Sequence, residues 1–196
     1  MGVAVRDVVR YGRLKLLVFE NVYPPAEDSF LLAEHQGVSG SERVLDVGTG
    51  CGIQGLSAAA KGCEVVATDV NPAAVHCARW NAHLNDLNID VRVGDLFEPV
   101  RDERFDIVLF NPPYLPGREL PGSDPISRAT EDPAVIRRFL KDLLREEIRW
   151  DEARIVVSSL TPKKYLEPLQ RFEVEIVAEE PLFFEKIRVL ALRPSR

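Results

Sequence analysis

RVLDVGTGCG, residues 43–52, joins a strand-like run to three glycines at alternate positions. RVLDVG (43–48) precedes the turn, and a helical stretch runs from about Gly52 to Lys61. Gly48, Gly50 and Gly52 let the backbone bend sharply and let a ligand touch main-chain atoms with no Cβ in the way. A plain strand–turn–helix corner rarely needs three alternate glycines, and a nucleotide-like cofactor is the usual reason for them. Gly50-x-Gly52-x-x-Gly55 also satisfies the dinucleotide fingerprint, and Asp69 stands where a ribose-binding acid belongs. Asp46 separates the alternatives. A carboxylate two residues before the first glycine would repel a pyrophosphate, and it suits a ligand bearing a cation, such as the amino group of a methionine moiety.

Outward from this corner the chain alternates strands with helices. EVVATDV (64–70) is the next strand. Asn71 as N-cap and Pro72 at the first position start a helix that reaches about Leu84. NIDVRVGD (88–95) alternates like a strand, and RFDIVLF (104–110) is continuous and apolar, as a strand buried on both faces should be. A helix fits 133–149, a strand 154–160, a short helix 162–169, and two last strands lie near 171–179 and 183–192. This order predicts an α/β fold, a parallel sheet with helices on both faces, with ligands bound at the carboxyl ends of the strands. Residues 1–42 read as a cap on the sheet within a single domain spanning 1–196. RLKLLVFE (13–20) is a strand or hairpin arm, and PPAEDSFLLAEHQG (24–37) is a short helix with acids in its first turn and Gly37 as its C-cap.

DVGTGCG (46–52) resembles the first motif of class I S-adenosylmethionine methyltransferases, which carry an acid at the place of Asp46. The resemblance implies a Rossmann-like, seven-stranded, mostly parallel sheet whose last strand pair is antiparallel. It implies S-adenosyl-L-methionine as cofactor. Asp69, followed by Val70, would then accept hydrogen bonds from the ribose hydroxyls. Asp95, in VGDLF, would sit by the adenine amino group, with Leu96 against the ring.

In that frame NPPY (111–114) ends the strand next to the first one and faces the reactive methyl group. Prolines cannot extend a sheet, so the strand stops and the backbone stiffens there. The Asn111 side-chain oxygen and the Pro112 carbonyl can accept the two N–H groups of a planar amide or exocyclic amine. Pro113 keeps the acceptors rigid and Tyr114 can stack on the flat group. Alignment of this kind is worth up to about 7–11 kcal/mol in small-molecule systems. No general base is required: none of His35, His76 and His83 falls at a strand end, and His76 and His83 read as helix-surface residues.

VYPPAEDSFLLAEH (22–35), DVGTGCG, ATDVNPAAV, GDLF and FDIVLFNPPY occur in this order. Together they resemble the short HemK/PrmC-type protein-glutamine N5-methyltransferases of archaeal and eukaryotic kind. The resemblance covers most of 20–115, and EKIRVLAL (185–192) also fits it. It implies methylation of the Gly-Gly-Gln glutamine of a class 1 translation termination (release) factor. It also implies that the segment matching Pro25, Ala26, Glu27, Asp28 and Ser29 packs over the cofactor, although those residues also suit plain helix capping. A small zinc-binding activator subunit is the implied partner, and the edge strand 88–94 could receive it, unless Asp90 and Arg92 charge that edge against pairing. The chain departs from the family at PISRATEDPAV (125–135), which lacks the usual Gly-Gly stretch. The long segment 115–133 reads as a substrate-facing lid, with Arg118 and Arg128 as candidate contacts.

Composition narrows the function classes. The formal charge is −6, unlike the basic face of a duplex binder, so no direct nucleic-acid binding is expected. RRFLKDLLREEIR (137–149) mixes acids into its basic residues and reads as a solvated helix face. No apolar run is long enough to cross a bilayer. Three cysteines without a CxxC pair argue for a reducing compartment, a cytoplasmic protein, and no metal site. Alternatives are a nucleic-acid amino methyltransferase acting on adenine N6 or guanine N2, a protein lysine methyltransferase, a non-catalytic cofactor-binding subunit and a dinucleotide oxidoreductase.

Overall fold

A computed structural model describes residues 4–114, 132–145 and 147–195. The chain opens with a hairpin, β1 (Val5–Tyr11) and β2 (Leu14–Phe19), which form a two-stranded antiparallel sheet of their own. Helix α1 (Glu27–Glu34) follows. Next come β3 (Arg43–Val47), α2 (Ile53–Ala59), β4 (Glu64–Asp69), α3 (Pro72–Leu84), β5 (Asp90–Val93) and β6 (Arg104–Phe110). Helix α4 (Ala134–Leu144), β7 (Arg149–Ser158), β8 (Phe172–Pro181) and β9 (Lys186–Pro194) follow, with a short helical segment, Lys163–Leu166, between β7 and β8 and 3-10 turns at Glu98–Val100 and Glu167–Arg171.

The seven-stranded sheet has the order β5-β4-β3-β6-β7-β9-β8. The pairs from β5 to β7 are parallel, while β9 is antiparallel to both β7 and β8. The chain moves outward from β3 to β5 and then returns to the other side of β3 with β6. The strand order therefore switches between β3 and β6, where a crevice opens. Register makes the two neighbours end level: Val47 pairs with Phe110, so Gly48 and Asn111 both step off the sheet at the same height.

Local chemistry explains the elements. Phe105, Val108, Leu109 and Phe110 of β6 are all buried, as a central parallel strand requires. In α3 the Asn71 side chain accepts the Ala73 N–H at 2.9 Å and Pro72 occupies the first turn. In α4, Val135, Ile136, Phe139, Leu140 and Leu143 form a buried stripe at helical spacing.

Several expected boundaries shift. Helix α4 ends at Leu144 rather than near 149, because Arg149 already pairs with Arg104 of β6 as β7 begins, and Ile148 is buried. Helix α1 ends at Glu34 with His35 as its C-cap, not Gly37; Gly37 lies beyond it at φ +72°. Strand β1 has no counterpart among the sequence expectations: it pairs with β2 across a turn at Gly12. Its side chains are mostly exposed, so no buried-strand pattern marks it.

The hairpin is held to the sheet layer by two asparagines one turn apart, Asn81 of α3 and Asn85, its C-cap. Asn81 accepts the Leu17 N–H at 2.8 Å and donates to the Leu17 and Cys51 carbonyls, each at 2.8 Å. Asn85 treats Lys15 the same way, at 2.9 Å in both directions. Each amide thus stands in for one residue of a neighbouring strand on the open edge of β2. Leu14, Leu16 and Val18 then pack with Ile53, Leu56 and Cys77 into one apolar cluster.

Candidate active site

A cleft of about 660 Å³ lies at the carboxyl ends of β3, β4 and β6. The glycine corner forms its floor, with Gly48 at φ +64° and Gly50 at φ +57°. That left-handed backbone strains any residue with a Cβ. The Gly50 N–H donates to Asp69 Oδ2 at 2.9 Å, and Asp69 Oδ1 accepts the Asn71 N–H at 2.8 Å. Asp69 is buried at the cleft wall, and burial raises its pKa, with the two N–H donors pulling it back. Each of its oxygens keeps a lone pair for a further donor such as a sugar hydroxyl. Val70 and Leu96 also line the cleft, Leu96 with a positive φ of 47°.

Asp46 sits elsewhere than expected. It is buried behind the turn and does not line the cleft. Its Oδ2 accepts the Thr49 hydroxyl at 2.6 Å and the Gly55 N–H at 2.9 Å, so it braces the corner from below rather than meeting a ligand cation. Gly55 is needed for closeness: a Cβ there would come within 3.2 Å of Asp46 and of Val65. Gly52 is likewise outside the lining, and a Cβ on it would press on Leu56 and Ala78.

Burial pushes the Asp46 carboxyl up to about 7, with Thr49 and Gly55 opposing and Asp69 adding a smaller rise. Unfolded, the group ionises near 3.8. Between those values the native chain keeps a proton that the unfolded chain has lost. Its contribution to stability is therefore complete below pH 3.8 and is lost as pH rises through 7. A gap of that size is worth roughly 4 kcal/mol. Asp46→Asn has no such proton, so its stability relative to the parent should rise by about that amount between pH 4 and 7.5. Urea denaturation at both pH values measures this, and a flat difference would mean an ordinary carboxylate.

Asp95 lines the cleft but is not free. Arg138 of α4 reaches it with Nη1–Oδ2 at 2.5 Å and Nη2–Oδ1 at 3.3 Å. Arg138 lines the cleft too. Arg138, counted in sequence as part of a solvated helix face, is thus a rim residue. Nothing local marks it, because its partner is 43 positions away.

Asn111 follows β6 at the wall opposite Asp69. Its Nδ2 donates to Ser29 Oγ at 3.1 Å. Its Oδ1 is buried and has no partner, a condition shared only with Ser57 Oγ among the described buried side-chain atoms. A buried acceptor left unpaired costs about 1–3 kcal/mol unless a ligand supplies the donor. Ser29 belongs to a short chain of bonds, its N–H and hydroxyl both donating to Asp28 Oδ1, at 2.7 and 3.2 Å. Gln54 of α2 fixes this helix start by donating to the Ser29 carbonyl at 2.8 Å. Pro25, Asp28 and Ser29 line the cleft, whereas Ala26 and Glu27 do not.

Pro112, Pro113 and Tyr114 complete the wall beside Asn111. Burial of the Tyr114 hydroxyl, then the nearby Asp28 carboxylate, Tyr23 and the Glu185 carboxylate, hold it protonated far above the ordinary tyrosine range. Tyr114 is thus a packing and orienting group, not a base. His76 and His83 are exposed on α3, as expected. Arg118, Arg128 and nearly all of 115–133 lie outside the described residues. Among the described residues no group of three or more His, Cys, Asp or Glu could hold a metal ion, and no helix is long and apolar enough to cross a membrane.

The cleft fits an adenosyl amino acid in outline. It joins backbone approach at the glycine corner, a carboxylate with spare lone pairs, apolar Val70 and Leu96, and an unpaired acceptor at Asn111. Comparison with known proteins points the same way. The family described as methyltransferase small domain matches residues 27–123. A protein of Methanocaldococcus jannaschii, provisionally named a protein N5-glutamine methyltransferase, is 36% identical over 193 residues, covering 93% of this chain and 97% of that one. The Homo sapiens methyltransferase HEMK2 is 35% identical over 116 residues, 54% of each chain. A solved structure of the E. cuniculi Mtq2–Trm112 complex, described as responsible for methylating the termination factor eRF1, superposes with a TM-score of 0.67 at 26% identity. That likeness covers 89% of this chain and 99% of the other.

Proposed function

The chain belongs to the S-adenosylmethionine-dependent protein N5-glutamine methyltransferases, and from that membership we propose that it methylates the Gly-Gly-Gln glutamine of a class 1 translation termination factor. The observation that carries the choice of an amide acceptor is the buried, unpaired Asn111 Oδ1 at the cleft wall. An amide NH2 brings the donor that this atom lacks.

Asp69, the Gly48–Gly50 backbone, Val70 and Leu96 would hold the cofactor, which when bound supplies an electrophilic methyl carbon on a sulfonium. The rest is the work of this chain's own groups. Asn111 Oδ1 and the Pro112 carbonyl accept the two N–H groups of the glutamine amide and fix its nitrogen. The Nδ2–Ser29 bond fixes which way the Asn111 amide faces. Tyr114, next to Pro113 in the cleft wall, covers the flat face of the substrate amide. The two prolines set these positions before substrate arrives, so little ordering remains to oppose the reaction. The same proposal includes a small accessory subunit on β5, supported by that strand's outer position in the sheet and by Val93, 52% exposed there.

Radiolabelled methyl transfer tests the substrate. Purified termination factor should accept label, while its Gln→Ala variant and bulk nucleic acid should not. Label on the variant at the parent's level, or on nucleic acid alone, would remove the glutamine reading.

A further inference from the structure

Strands β8 and β9 are joined by a four-residue turn, Leu182–Glu185, closed by the Leu182 N–H donating to the Glu185 carbonyl at 2.8 Å. At its tip stand Phe183 and Phe184, 101% and 92% exposed, with ring centroids 6.5 Å apart. Single exposed apolar residues are ordinary, but two adjacent bare phenylalanines are a patch that burial against a partner would stabilise. Nothing in the hairpin needs them. Its pairing is carried by backbone bonds and by Glu179, which bridges Lys186 and Arg188.

Topology puts this tip beside the cleft. Strand β8 is antiparallel to β9, and β9 is antiparallel to β7, so β8 runs parallel to β7 and β6. Its carboxyl end is therefore at the same edge of the sheet as Asn111. Two strand spacings separate β6 from β9, about 10 Å. Side chains close the gap. Glu185, next to Phe184, bonds to Ser158 at the end of β7, and its carboxylate is within electrostatic reach of Tyr23 and Tyr114. Tyr23 lines the cleft and is itself 63% exposed. Glu185 places a carboxylate beside the tip on this side of the mouth.

We propose that the Phe183–Phe184 tip is a docking surface for the protein substrate, gripping an apolar patch on the folded substrate beside the loop that carries the acceptor glutamine. The proposal rests on the glutamine reading above. The fitting partner is a folded protein with an apolar patch about 10–15 Å from its glutamine, flanked by a basic group that matches Glu185. The cleft alone recognises one side chain, and the tip adds the area that separates one glutamine-bearing protein from another.

The test compares initial rates on a folded termination factor and on a short peptide containing its Gly-Gly-Gln sequence. The double variant Phe183→Ser, Phe184→Ser should raise KM for the folded factor about tenfold. Its kcat, its cofactor Kd and its kcat/KM on the peptide should stay within about twofold. Unchanged KM on the folded factor, or equal loss on factor and peptide, overturns the docking role alone. A parent enzyme that dimerises through the tip, shown by sedimentation of parent and variant, overturns it as well. A parent enzyme that transfers nothing to the factor removes the glutamine reading first, and the docking role with it.

Discussion

Asn111→Ala is expected to lower kcat for methyl transfer by about 10²–10³-fold, the range seen when one preorganised hydrogen-bonding group is removed from an active site. The cofactor Kd, measured by calorimetry, should change less than about threefold, since the glycine corner and Asp69 remain. The reason lies in the division of the Asn111 side chain. One end is tied to Ser29 and the other is an unsatisfied acceptor. Alanine removes the acceptor that would hold the amide nitrogen and leaves the remaining cleft walls standing. Because an amide lone pair is delocalised, loss of alignment should appear in the chemical step rather than in ground-state binding. Equal losses in kcat and cofactor affinity would show instead that Asn111 belongs to the cofactor's binding surface.

Asn81→Ala should lower stability by roughly 3 kcal/mol, since it strands the Leu17 N–H, the Leu17 carbonyl and the Cys51 carbonyl at about 1–3 kcal/mol for each group that water does not reach. For a chain of this size that corresponds to a fall in Tm of about 6–12 °C. Asn85→Ala should cost clearly less, because its bonds to Lys15 are exposed and water can replace them. Thermal denaturation of both variants gives the comparison. Similar shifts for the two would mean that the hairpin is held by its apolar face alone. Hydrogen exchange should show the amides of β2 opening first in Asn81→Ala, as the strand loses its borrowed edge.

These two asparagines show where sequence reading stops. Asn111 was legible because its neighbours explain it: an apolar strand ends, two prolines follow, and an amide is displayed at the break. Asn81 looks like any polar residue on a helix. Its partner, Leu17, is 64 positions away, and no local pattern connects them. Arg138 is the same case, joined to Asp95 only because α4 folds across the end of β5. Asp46 stands out in the sequence as a carboxylate just before the glycines, and the ligand contact expected of it is not what the fold makes. Its direction, away from the cleft and into the packing of α2 on the sheet, depends on the close approach at Gly55. The true end of α4 likewise required knowing that Arg149 pairs with β6.

The sequence by itself determined the alternation of strands and helices from β3 onward, the glycine corner and the rigid end of β6. Each of these follows from the stereochemistry of residues within a few positions of one another, where glycine opens left-handed backbone, proline withholds an N–H and apolar period sets burial. Only the tertiary structure decided which end of the Asn111 amide lacks a partner, that Asp46 supports rather than touches the ligand site, and that the Phe183–Phe184 tip shares an edge with the cleft. Hydrogen-bond satisfaction and desolvation are properties of a group's whole surroundings, and most of those surroundings come from chain segments far away in sequence.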